Sequence, residues 1–299
     1  MSVRGLLRRL PEPVKTSLRK LLVFRTPKRN PRTSIRTQAW DRDGYAVLPG
    51  FFEDHRIQAA ARLFDESWAR RKSDGLGLVI DILSGGSVQG RMRFSEAPDD
   101  CRGSIYKLND LYLVNESVRA LVLDCRLVEH LKELVGEEVV AINSLHFERG
   151  STQGYHVDTF YMEPPPGGRL IVSSICLEDA HPDAGPLQYY PGSHLIPPFL
   201  NIDGDRKART DQEFIDATAY LDLHVRRRDL RETQFCGNSG DTFLWHEQLY
   251  HGGSPIKDIT RTRRSIVTHY WTKASMIGWD VAPSHGGYYL RREHQSVGE

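Results

Sequence analysis

The stretch Tyr155-His156-Val157-Asp158 decides how this chain reads. Its counterpart is Tyr250-His251-Gly252-Gly253, whose histidine lies 93 residues after Asp158. On an extended strand, side chains two apart share a face, so His156 and Asp158 can reach one metal ion while Val157 turns into the wall. A lone His-x-Asp is also what a hydrogen-bonded pair at a strand end looks like, so the flanking sequence has to carry the distinction.

Outward from that stretch, the chain reads as helices first and strands after. Apolar residues recur at helical intervals in Phe51 to Lys72 (Ile57, Ala60, Ala61, Phe64, Trp68) and in Glu116 to Val135 (Val118, Leu121, Val122, Leu127, Leu131, Leu134), the pattern of helices covering a sheet. From Val139 the period changes. Val139 to Phe147, Leu170 to Leu177, Thr242 to Trp245 and Ser265 to Thr272 are short runs rich in β-branched or aromatic residues, separated by Gly and Pro. The expected fold is mainly β with flanking helices around a double-stranded β-helix, a cupin-like jelly roll whose interior opens at one end to a small molecule. In such a barrel, two histidines and one carboxylate on one side of an ion leave its other positions open, the ligand set of non-haem iron(II) oxygenases. On side-chain chemistry alone, His246 and His251 are both open as the distal ligand, and Arg261, Arg263 and Arg264 are all open as an anion anchor.

The ordered set of motifs resembles the phytanoyl-CoA dioxygenase family of iron(II)- and 2-oxoglutarate-dependent oxygenases. It comprises Asp43-Gly44-Tyr45-Ala46-Val47-Leu48-Pro49-Gly50-Phe51-Phe52, the His156/Asp158 pair, Pro191-Gly192-Ser193-His194, Gly240-Asp241, His251-Gly252-Gly253 and Arg263-Arg264, across roughly residues 37 to 275. The resemblance implies that iron(II) is held by His156, Asp158 and His251, since the family's distal histidine precedes a glycine and a small residue, as His251 does and His246 does not. It implies 2-oxoglutarate and O2 as co-substrates, with succinate and carbon dioxide released as an unactivated C–H bond is hydroxylated. The family's anchoring arginine usually lies eleven residues after the distal histidine, where this chain has Thr262. Matching the residues that follow selects Arg263, and strand alternation places Arg263, Ser265 and Val267 on one face. Asn143, Tyr161, Gln188 and Trp245 are the secondary candidates for contact with the co-substrate, and Phe147 joins them from a facing strand. Asp158 itself speaks against halogenation, because related halogenases carry a small residue there. Desaturation, ring closure and epimerisation remain alternative outcomes of the same chemistry.

Composition fits an enzyme of this kind. The 299 residues, 39% hydrophobic and 26% charged, suffice for one large core. Cys101, Cys125, Cys176 and Cys236 have neither metal-like nor paired spacing, which suits a reducing compartment, and a cytoplasmic location is expected. No apolar run approaches the ~20 residues of a membrane span. The expected organisation is a basic leader over 1–36 and a jelly-roll domain over 37–299, with lid-like insertions near 76–110 and 201–235. The leader holds eleven Lys or Arg against Glu12 alone, +10, which leaves about −9 for the remainder of a chain of net charge +1. It reads as a surface helix making peripheral membrane contact, as a flexible tail, or as a transit peptide. The expected partner is a small-molecule or amphiphilic substrate, and no interleaving of basic and aromatic residues points to nucleic acid. Two rival classes stand beside the enzyme reading: a noncatalytic metal-binding jelly-roll module, and an adaptor acting through its basic tail.

Overall fold

A computed structural model describes residues 35–73 and 75–297. The leader expected at 1–36 therefore lies, up to residue 34, outside the described residues. Among the described residues no helix is long and apolar enough to cross a membrane.

Helix α1 (Ile35–Asp43) leads into β1 (Tyr45–Leu48), and α2 (Asp54–Arg70) follows as the apolar spacing predicts, burying Ile57, Ala60, Phe64 and Trp68. Strands β2 (Val79–Ser84), β3 (Ser87–Arg93) and β4 (Ile105–Asn109) come next, then a short helix α3 (Leu111–Val114). The long helix expected at Glu116 to Val135 is broken in two, α4 (Glu116–Val122) and α5 (Cys125–Val135). The cause is local: Asp124 accepts from the backbone N–H of Arg126 and caps a new helix, which ends at Gly136 with φ +79°. Five apolar side chains of α5 are buried, a contribution on the order of 1.5–3 kcal/mol each.

Strands β5 (Val139–Phe147), β6 (Leu170–Cys176), β9 (Thr242–His246) and β11 (Ser265–Thr272) coincide closely with the runs read from sequence. With β1 to β4 they form a sheet in the order β1-β9-β6-β11-β5-β4-β2-β3, to which β12 (Val281–Ser284) and β13 (Gly287–Leu290) attach beside β5. A second, three-stranded sheet pairs β10 (His251–Gly253) with β7 (Leu187–Tyr189) and β7 with β8 (Thr233–Phe235). Antiparallel apart from the β13–β5 pair, these sheets are the jelly-roll core.

Both segments expected as lid-like insertions carry regular structure. Residues 76–110 are no irregular insertion: β2 and β4 pair in register, and β4 pairs with β5, so this segment widens the large sheet. The charged run at 201–235 holds helix α6 (Asp211–Arg227) and then β8. Thr210 caps α6 by accepting from the Glu213 N–H, and Ala217, Leu221 and Val225 pack with Val157, Phe160 and Tyr250. Helix α6 thus buttresses the very segment that carries His156.

Candidate metal centre

His156 and Asp158 are placed by a bridge and a turn, where a continuous strand was expected. The backbones of His156 and His251 exchange two hydrogen bonds, at 2.8 and 3.0 Å, as an isolated antiparallel bridge. Val157 is extended and buried, and Asp158 opens a 3-10 turn through Phe160. The side-chain outcome matches the alternation argument: Val157 goes into the wall, and the His156 and Asp158 side chains converge. Close approach explains the two glycines after His251. A Cβ on Gly252 would meet the Gln153 carbonyl at 2.9 Å, and one on Gly253 would meet Ser151 Oγ at 2.5 Å and the Thr152 nitrogen at 2.8 Å.

One ligand atom each from His156, Asp158 and His251 lies within 4.8 Å of the others, and all three residues are buried. Their donor chemistry fits a divalent ion. His156 Nδ1 lies 2.8 Å from the Gly154 carbonyl and His251 Nδ1 lies 2.8 Å from that of Leu249. A carbonyl can only accept, so both protons sit on Nδ1 and both Nε2 lone pairs are free for a metal. Burial, then His251, pushes His156 down to about 3, so the imidazole is neutral at neutral pH. Burial works against the Asp158 charge, but His251 and His269 outweigh it and hold the carboxyl well below the usual carboxylate range. Two imidazole nitrogens and one carboxylate oxygen make up the donor set.

These ligands line a cavity enclosing about 760 Å³ of empty space, its open mouth included. Arg263 and Ser265 line it too, with Leu145, Phe147, Leu187 and Val267 as apolar wall. Arg263 makes no ion pair with any described residue, and its Nε is buried without a partner. Burial lowers its pKa from the ordinary guanidinium value. The other two arginines are committed. Arg261 is exposed and bonded to Asp258, while Arg264 pairs with Glu148 at 2.9 Å and with Asp65. His246 stands apart from the cluster, its ring against Trp40 and His194.

The secondary candidates divide. Trp245 lines the cavity and donates its indole N–H to Asp158 Oδ2 at 2.7 Å. Tyr161 packs edge-on to His156 at 5.2 Å between ring centres, but it is exposed and lies off the cavity wall. Asn143 and Gln188 do not line the cavity. Asn143 turns its amide to Asp110 at 3.2 Å, and Gln188 alternates with Leu187, which takes the cavity side of β7. Two site residues were not singled out from sequence. Ser265 has a buried, unpartnered Oγ and could have been found as the next residue on the Arg263 face. His269 sits with Nε2 3.3 Å from Asp158 Oδ1.

Residues 40–264 match the family model of phytanoyl-CoA dioxygenase (PhyH). No curated protein sequence matches the chain at a significant level. Among solved structures, the non-heme alpha ketoglutarate-dependent carbocyclase SnoK from nogalamycin biosynthesis is 16% identical with a TM-score of 0.60, over 83% of this chain and 87% of that one. EctD from S. alaskensis with 2-oxoglutarate and 5-hydroxyectoine is 19% identical with a TM-score of 0.59, over 91% and 88%. The epimerase SnoN in complex with Fe3+, alpha ketoglutarate and nogalamycin RO is 18% identical with a TM-score of 0.54, over 88% and 95%. Identities this low establish a shared fold.

Proposed function

The chain belongs to the phytanoyl-CoA dioxygenase family, and from that premise we propose that it hydroxylates an unactivated C–H bond of a small-molecule substrate. It is a non-haem iron, 2-oxoglutarate-dependent dioxygenase, with His156, Asp158 and His251 as its metal-binding residues. When bound, iron(II) supplies the oxidising chemistry, coupling the use of O2 to conversion of 2-oxoglutarate into succinate and carbon dioxide. The protein binds, orients and excludes water. His156 and His251 would hold the ion through Nε2 and Asp158 through one carboxylate oxygen, a ligand set that would leave other positions open to small molecules.

In this reading Arg263 anchors the far carboxylate of 2-oxoglutarate, with Ser265 Oγ as a second donor. The support is physical: an unpaired, half-buried guanidinium costs stability until an anion arrives, and its planar fork matches both carboxylate oxygens. The apolar wall of Leu145, Phe147 and Val267 keeps the co-substrate out of bulk water. The observation that carries the proposal is that three metal-ready ligand atoms and one unpaired guanidinium share a single cavity. The small molecules bound in the EctD and SnoN structures support the substrate class.

The test is succinate release from 2-oxoglutarate by the purified chain. It should require iron(II) and disappear in a folded His156→Ala variant. Absence of iron-dependent succinate across a broad substrate panel would reduce the chain to a metal-binding module. Product analysis separates hydroxylation from desaturation, cyclisation and epimerisation.

A further inference from the structure

We infer that Trp245 is a positioning residue: its indole N–H holds Asp158 Oδ2, so that the carboxylate is presented to the metal through Oδ1 alone. This rests on the metal reading of the site and adds to it the element that keeps one more coordination position free.

The two oxygens of Asp158 have different surroundings. Oδ2 accepts from Trp245 Nε1 at 2.7 Å, with both residues buried. Oδ1 faces the ligand cluster, 3.9 Å from His251 Nε2, with His269 Nε2 at 3.3 Å. An indole N–H can only donate, so Trp245 cannot become a ligand itself. Nor can it swing away. Trp245 sits within β9 between register partners Tyr45 and Val172, and its ring lies 5.8 Å from Phe243 and 5.3 Å from His251, centre to centre. For Asp158 to chelate through both oxygens, a short, buried, charge-assisted hydrogen bond would have to break. Chelation would also occupy a position that co-substrate and oxygen need.

The experiment is anaerobic calorimetric titration of the full metal-free chain with Fe(II), comparing wild type with Trp245→Phe. Phenylalanine keeps an aromatic ring against Phe243 and His251 and deletes only the donor. Loss of such an outer contact typically weakens metal binding about 10- to 100-fold, and that is the expected result. An affinity equal to the wild type overturns the inference, whatever happens to the melting temperature of the metal-free variant. Should the variant not fold, the wild type decides through the Trp245 indole N–H resonance with Zn(II) bound. Continued protection from hydrogen exchange supports the contact, and protection lost on adding zinc overturns it. A wild type that binds no metal would overturn the site itself, whereas normal wild-type binding with an unchanged variant overturns the role of Trp245 alone.

Discussion

Two polar clusters meet at the start of β11, and neighbouring arginines belong to different ones. Around Arg264, the charged groups are paired: Glu148 accepts from Arg264, Arg102 and Tyr106, Tyr106 accepts from Trp68, and Asp65 joins both arginines. Around Arg263, partners are missing: its Nε, Ser265 Oγ and His269 Nδ1 are all buried without one. The first cluster is finished by folding. The second is finished only by something that binds. Leaving buried polar groups unpaired costs about 1–3 kcal/mol each, so three such groups lining one metal-lined cavity favour a ligand site there.

The sharpest way to break this contrast is at the ligands. Asp158→Ala is expected to abolish metal binding and all iron-dependent succinate release while the chain stays folded, as read by calorimetry and circular dichroism together. Retained stoichiometric metal binding would erase the distinction between the clusters. Next in size is the finished cluster, where Glu148→Gln leaves two arginines short of a carboxylate. Stability should fall by about 3 kcal/mol in urea denaturation, with little change in metal affinity.

Arg263 provides the opposite signature. Arg263→Leu should weaken 2-oxoglutarate binding to the metal-loaded chain about a hundredfold, since two charge-assisted hydrogen bonds are lost. It should leave metal-free stability unchanged or higher, because an uncompensated charge is removed, whereas Arg264→Leu should lower it. The last effect concerns pH. His146 stacks on Phe64 at 3.3 Å between ring centres, and burial pushes it down to about 3 from 6.5. The unfolded chain then binds more protons than the folded one between those values. The His146 contribution is complete above pH 6.5 and is lost as pH falls toward 3. His146→Phe should make the acid-side slope of stability shallower by about 1.4 kcal/mol per pH unit.

How much of this was legible in the sequence follows from the range of each interaction. The central strands were readable because β-branched runs bounded by Gly and Pro are local signals, and β5 and β11 fall where the runs fall. Arg263 and Ser265 share a face by strand alternation alone. Helix α6 was also written locally, in Thr210-x-x-Glu213 followed by Phe214, Ala217, Leu221 and Val225, but its charged exterior masked the stripe. Strand β2 was masked differently: Asp81 sits inside an apolar run and is fully buried, which becomes reasonable only once Arg91 and Lys107 arrive from the strands on either side. Least legible was the bond from Trp245 to Asp158, which spans 87 residues. Side-chain chemistry did not choose between His246 and His251 either; the bridge to His156 does.

The most direct measurement of the central claim needs no knowledge of the substrate. The metal-free chain is titrated anaerobically with Fe(II), then with 2-oxoglutarate, in wild type and in His156→Ala. One equivalent of iron, followed by 2-oxoglutarate binding that occurs only after iron and vanishes in the variant, is the predicted result. Wild type that takes up no iron, or 2-oxoglutarate binding indifferent to both iron and His156, would contradict it.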